Sequence, residues 1–297
     1  MRFIPLSTAD TRPWDEAVSS GDGLPVRESG SWIDEKHKKL VYFANMFAKS
    51  MKPSAHKQGW KYRVYLELFS GPGRCLVRDP LKEEDGSPLK VIDQDFTRFI
   101  FIDISTAAAR ALEARLKGHP NANKVEIWNG DCAEALRHLT IEPGSLTLAF
   151  IDPTGIAQAP FHLIETLRRK TRCDLLINIQ HGMGIKMNMH QYTPDSDADC
   201  ALTKFLGDES WKKLLGRSPK EFFQEYFKLY RAKLDAIGFK YTNNQVVINT
   251  SKRLPLYILL FASGHKLGQK FWDEAVSGTD PQTTFGFSAE SPAHSEV

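Results

Sequence analysis

VYLELFSGPGR, residues 64–74, is an apolar run that passes straight into a glycine-rich turn. Val64, Tyr65, Leu66, Leu68 and Phe69 have one polar interruption, Glu67, the pattern of a parallel strand covered by helices on both faces. Gly71 and Gly73 let the backbone turn sharply and come close to a ligand. In an open parallel sheet, ligands sit beyond the carboxyl ends of the strands, near the point where strand order reverses. A nucleotide-like cofactor is the natural occupant. The loop lacks the GK[ST] of a P-loop, and Leu76 stands where GxGxxG would place its third glycine. A cofactor without a pyrophosphate suits it better. Taken alone, SGPG is equally an ordinary strand-to-helix turn.

The segments that follow decide between the two. Short apolar runs at 99–103, 125–128, 146–151 and 174–179 alternate with helix-like stretches at 87–96, 105–116, 133–139 and 161–170. That alternation predicts βαβ units and a mainly parallel sheet. The second strand ends FIDIS, with Asp103 able to accept from ribose hydroxyls. The third is followed by NGD, with Asp131 placed to accept from an adenine amine. The fourth ends FIDPTG, with Asp152 and Pro153 at the same rim. Asp103 and Asp131 have an alternative at helix caps, and Asp152 one in orienting the turn that carries Thr154 and Gly155, but four successive strand ends bringing polar or glycine-rich elements to one edge argue for a site.

The rest of the chain frames this core. Residues 1–30 carry no periodicity and read as an irregular arm. A helix is expected at 34–51, where Leu40, Phe43, Ala44, Phe47 and Met51 share a face. Residues 36–63 hold eight Lys or Arg and no Asp or Glu, among them Lys57 and Arg63, so they could track a phosphate backbone or be a solvated helix face. A helical insertion at about 181–239 follows the fifth strand. Its stripe Phe222, Tyr226, Phe227 and Tyr230 has helical spacing and reads as core. Two late strands, 240–249 and 256–262, complete a domain over 31–276, and 277–297 is a polar tail. The expected fold is α/β: a Rossmann-like three-layer αβα sandwich on a mainly parallel seven-stranded sheet, with the insertion before the last two strands.

Hydrophobic residues at 41% and charged residues at 25% exclude a wholly disordered chain. No run approaches the roughly 20 apolar residues of a membrane span, and the opening residues lack a signal peptide's apolar centre. A cytoplasmic protein without a membrane partner is expected. The net charge of +3 neither demands nor excludes nucleic acid. Cys75, Cys132, Cys173 and Cys200 stand singly, and no His or Cys pair has metal-ligand spacing, so no metal is expected.

The motifs together resemble the class I S-adenosylmethionine-dependent methyltransferases. The resemblance implies that Glu67, Phe69, Ser70, Gly71 and Gly73 lie near the methionine part of S-adenosylmethionine. It makes Asp103 with Ile104 the ribose element and Asp131 with Cys132 the adenine edge. Asp152–Gly155 resembles the D/N-P-P-Y/F element of enzymes that methylate exocyclic amines, with Asp152 also near the cofactor. Within that superfamily, LFSGPGR, GSPL, FIDIS, FIDPTG and ASGHKLGQKFWDEA resemble the bacterial three-Cys-motif partner (TcmP) family, whose name implies a partner protein carrying a three-cysteine motif.

Methyl transfer from a sulfonium is an in-line displacement in which positioning supplies much of the rate. Asp152 and the Pro153 carbonyl could hold an exocyclic amine through its N–H groups, with Thr154 and Gly155 beside it. Gly155 stands where the pattern has an aromatic, which weakens the case for a base as substrate. Three functions remain: methylation of a nitrogen in an RNA or DNA base, with Lys57 and Arg63 on the polymer; a cofactor-binding subunit that needs its partner; or a small-molecule methyltransferase.

Overall fold

The computed structural model describes residues 1–55, 59–180, 192–197, 199–242, 246–249 and 255–277. In chain order it opens with β1 (Arg2–Pro5), β2 (Arg27–Ser29), α1 (Ile33–Ser50), β3 (Tyr62–Leu68), β4 (Arg74–Arg78), β5 (Leu81–Asp85) and α2 (Ser87–Val91). It continues with β6 (Arg98–Asp103), α3 (Thr106–Leu116), β7 (Val125–Asn129), α4 (Cys132–His138), β8 (Ser145–Ile151), α5 (Phe161–Lys170) and β9 (Arg172–Ile179). The last elements are α6 (Ala201–Leu206), α7 (Pro219–Ala236), β10 (Val246–Asn249), β11 (Pro255–Ala262) and α8 (Lys266–Ser277).

The main sheet runs β1-β7-β6-β3-β8-β9-β11-β10. Every pair from β1 to β9 is parallel, and β11 runs antiparallel to both of its neighbours. It has eight strands rather than the expected seven, because the arm is not irregular at its start. Arg2–Pro5 extends the sheet beside β7, with Phe3 packed on one face's core and Ile4 on the other's. Four residues are too few to show a period of two, so this strand leaves no pattern to read.

Alternation along β3 sorts the layers. Val64, Leu66 and Leu68 face the core shared with α4, α5, α6 and α7, whereas Tyr65 faces Phe43, Phe47, Leu112 and Trp272 of α1, α3 and α8. The stripe on α7 is buried, with Tyr230 stacked on Phe205 at 4.4 Å between ring centroids and edge-on to Phe161 at 5.7 Å. It is core rather than a stacking platform. No helix among the described residues is long and apolar enough to cross a membrane.

β3 is the centre of the sheet. The chain first builds outward from it through β6 and β7, then returns to its other side with β8. The reversal of strand order therefore falls at the carboxyl ends of β3 and β8. A second difference lies just beyond. The helix expected at 87–96 begins at Ser87 but ends at Val91, and between it and the glycine turn stands an unexpected hairpin, β4–β5, which joins β2 in a small three-stranded sheet. Its ends meet where the Gly86 N–H donates to the Gly73 carbonyl at 2.8 Å, so α2 still begins beside the loop.

Candidate functional site

At the strand reversal the backbone leaves β3 through Phe69, Gly71 and Gly73, with φ of 67°, 65° and 82°. The left-handed region disfavours side chains, so Phe69 is strained, by about 1–2 kcal/mol. The loop is tied to its neighbours. Ser70 N–H donates to the Ile102 carbonyl at 3.0 Å, and Gly71 N–H to Asp103 Oδ2 at 2.7 Å. Gly73 lets α3 close in, since a Cβ there would stand 2.7 Å from Leu112 Cδ1. Above the loop lies a cavity of about 260 Å³.

Phe69, Ser70, Gly71, Gly73, Asp103, Ile104, Asp152, Pro153 and Thr154 all line it, so one cleft gathers residues separated by more than 80 positions in the sequence. Asp103 is 6% exposed, and burial pushes its carboxyl up. Its Oδ1 accepts from Ser105 N–H at 2.9 Å and its Oδ2 from Gly71 N–H, which leaves a lone pair on each oxygen for a ligand. Ser70 Oγ is buried and has no hydrogen-bond partner among the described residues.

Other expected site residues lie elsewhere. Glu67 is not in the cavity wall. It is fully buried behind the loop, where its carboxylate accepts from Ser87 Oγ and from the Tyr65 hydroxyl at 2.8 Å. Burial pushes its pKa up to about 8. Asp131 caps α4, accepting from Ala133 and Glu134 N–H at 2.8 and 3.1 Å, and Cys132 is buried under it. Neither lines the cavity, because the arm crosses there: Leu6 N–H donates to Asn129, Asp10 N–H to Ile104, and Asp131 N–H to Thr8 Oγ1. Gly155 also lies outside the wall. Arg63 opens β3 rather than ending it, so it sits at the opposite edge of the sheet, donating to the Trp60 and Asp95 carbonyls. Lys57 falls outside the described residues.

The basic stretch does not form one face. Lys38 pairs with Asp34, Lys39 donates to the Ala275 and Val276 carbonyls, and Lys52 pairs with Asp95. Lys36 turns inward. It occupies the buried stripe of α1 with Ile33, His37 and Leu40, and its Nζ meets Asp152 Oδ2 at 2.6 Å. Burial works to lower the pKa of this amine, but the charge and hydrogen bond of Asp152 outweigh it and hold the pKa above the ordinary lysine value. Asp152 Oδ1 accepts from Asn178 Nδ2 at 2.7 Å, and the Pro153 carbonyl accepts from Gln180 Nε2 at 3.1 Å. The positions expected to hold a substrate amine thus already receive N–H groups of the chain itself.

Lys36, Asn178, Gln180, Trp32 and Tyr257 were not expected here. Trp32 and Tyr257 line the cavity with ring centroids 6.3 Å apart, bringing aromatic walls from α1's start and β11. Two of the five had a signal in the sequence: Lys36 sits on an apolar helical stripe, and Asn178 interrupts the strand DLLINI.

No family model matches the chain, and no curated protein matches it in sequence. Protein LPL1258 from Legionella pneumophila is 14% identical, with 84% of this chain and 92% of that one aligned at a TM-score of 0.50. Cofactor-bound Rv0187 from MTB is 13% identical over 82% and 84%, with a TM-score of 0.44. The O-methyltransferase TomG from Streptomyces achromogenes, in complex with SAM, is 14% identical over 82% and 83%, with a TM-score of 0.41. The first of these shows a shared fold, a mixed α/β domain on a large, mainly parallel sheet, and at this identity it shows the fold alone.

Proposed function

We propose that the chain is an S-adenosylmethionine-dependent methyltransferase whose acceptor is a planar ring, with a nitrogen of a nucleic-acid base as the site of transfer. One observation carries the reading. The loop 69–73 turns left-handed at the point of strand reversal and hydrogen-bonds to Asp103, a buried carboxylate with lone pairs to spare. Ser70 Oγ, buried at the same wall and unpartnered among the described residues, offers a further bond to a polar ligand. These residues fit a nucleoside cofactor that carries no pyrophosphate.

In this reading Asp103 holds the ribose hydroxyls, and the loop backbone with Ser70 holds the amino-acid part. Bound there, S-adenosylmethionine supplies an electrophilic methyl on a sulfonium. The chain's own task is alignment and the exclusion of water. Trp32 and Tyr257, beside one another in the wall, would offer a flat acceptor a ring face, standing in for the aromatic that Gly155 does not supply. The Lys36–Asp152–Asn178 group forms a charge-balanced floor beneath it.

Isothermal titration with S-adenosylmethionine tests the proposal. Saturable binding should be lost in Gly71→Trp, which fills the space above the loop, and weakened at least about 10-fold in Asp103→Ala. Binding unchanged in both variants, or no binding by the wild type at millimolar cofactor, would overturn it.

A further inference from the structure

Asn178 carries the observation that goes further. Its Nδ2 donates to Asp152 Oδ1 at 2.7 Å. The other oxygen of Asp152 accepts from the Lys36 ammonium, so each oxygen receives an N–H and the amide is oriented with Nδ2 toward the carboxylate. Asn178 Oδ1 must point away from Asp152. Among the described residues that oxygen has no hydrogen-bond partner; it is buried, on a residue 2% exposed that lines the cavity. Leaving such an acceptor unpaired costs about 1–3 kcal/mol.

Lys36 has the complementary need. Its ammonium carries three N–H groups, one of them given to Asp152 Oδ2. The two side chains grip opposite oxygens of one carboxylate, and Lys36, Asp152 and Asn178 line the cavity together with Trp32 and Tyr257.

Resting on the methyltransferase reading, we infer that the acceptor presents a cyclic amide edge: its carbonyl oxygen takes the Lys36 N–H and its ring N–H donates to Asn178 Oδ1. An amino-substituted edge, as in adenine, can meet the same two groups with its amine and ring nitrogen, but that nitrogen offers the ammonium one lone pair where a carbonyl oxygen offers two. The oxopurines fit best. Their carbonyl and adjacent N–H form the edge, and nitrogens elsewhere on the ring stay free to be methylated. A nitrogen held by Asn178 is not itself the nucleophile.

The test is calorimetric titration of the whole protein with inosine and with 1-methylinosine, in saturating S-adenosylhomocysteine so that neither nucleoside enters the cofactor's place. Inosine should bind at least about 10-fold more tightly, because the methyl group removes the only donor to Asn178. In Asn178→Leu the two should bind alike. If that variant lacks a cooperative thermal transition, the wild-type pair of ligands decides alone. Equal affinities in the wild type, no saturable inosine binding at millimolar concentration, or a preference that survives in a folded Asn178→Leu would overturn the inference. A short oligoinosinate titrated in parallel separates the two sources of the edge. Tighter binding than free inosine means a polymer, equal binding a free nucleoside, and either with N1-methyl discrimination supports the edge. Failure of S-adenosylhomocysteine to bind would remove the methyltransferase reading, while inosine titrated without it would still test the edge.

Discussion

Replacing Glu67 by glutamine should abolish much of the pH dependence of stability between about pH 5 and 8. The carboxyl is fully buried, and its pKa rises from an ordinary 4.5 to about 8 because burial disfavours the charged form, against the opposing bonds from Ser87 and Tyr65. Between those values the native state keeps a proton that the unfolded chain releases. Stability from this group is therefore complete below about pH 4.5 and declines as pH rises toward 8. At about 1.4 kcal/mol per pH unit the window carries about 5 kcal/mol. The Glu67→Gln side chain would keep both contacts, with its oxygen accepting from Ser87 and its amide donating to the Tyr65 hydroxyl, and it has nothing to titrate. Asp174, pushed up to about 7 by burial, slopes the same way, so the difference between wild type and variant isolates Glu67. Urea denaturation followed by circular dichroism at several pH values measures it. The variant should gain stability relative to the wild type as pH rises. Parallel profiles would refute the reasoning, because they would mean that Glu67 titrates in the folded protein as it does in the unfolded one.

Three further outcomes follow from the site and its frame. Lys36→Met and Asp152→Asn should each destabilise the fold by about 3–5 kcal/mol by leaving a buried partner uncompensated, and the double variant should recover about 2 kcal/mol or more of the summed loss in denaturant midpoints; strict additivity would mean that the pair is not coupled. Gly268→Ala should cost about 2 kcal/mol by thermal unfolding, although Ala ordinarily favours a helix, because its Cβ would meet Ser263 Oγ at 2.6 Å and Asp174 Oδ2 at 2.7 Å. Phe69→Gly should relieve about 1 kcal/mol of left-handed strain while removing a wall of the cavity, so its loss of stability should be smaller than burial of the ring alone would suggest, and its affinity for S-adenosylmethionine should fall.

The central strands were legible because each is an apolar run ending in an acid or a glycine, and strand direction alone puts those ends on one rim. Gly71, Asp103 and Asp152 meet there for that reason. The same direction places Arg63 at the far edge, since it opens β3 rather than closing it. Glu67 illustrates a different limit. Leu66 and Leu68 share a face, so a residue between them points to the other layer and does not reach the rim. In the hairpin after Gly73 only β4 alternates, with Cys75 and Val77 buried, whereas β5 is charged and buries nothing fully, and β1 is too short to show a period. Lys36 is harder still. Glu35 before it and Lys38 after it face outward, and only its place on the buried stripe of Ile33, His37 and Leu40 separates it from the other lysines of the helix. Trp32 and Tyr257 come together from distant segments, which no local pattern records.

The closed neck of the β4–β5 hairpin also matters to an experimenter. Gly73 and Gly86 are joined by one hydrogen bond at the neck, and β4 is held along one side by β2, with Glu83 accepting from Ser19 and Ser20, so the tip is the part of the hairpin left outermost, with Leu81 74% exposed. Length added at the turn between Arg78 and Leu81 adds little to the closure entropy already lost there. A fluorophore or affinity handle placed at that tip should therefore report on the neighbouring cleft without displacing the loop or α2, and the same neck would tolerate inherited insertions and deletions.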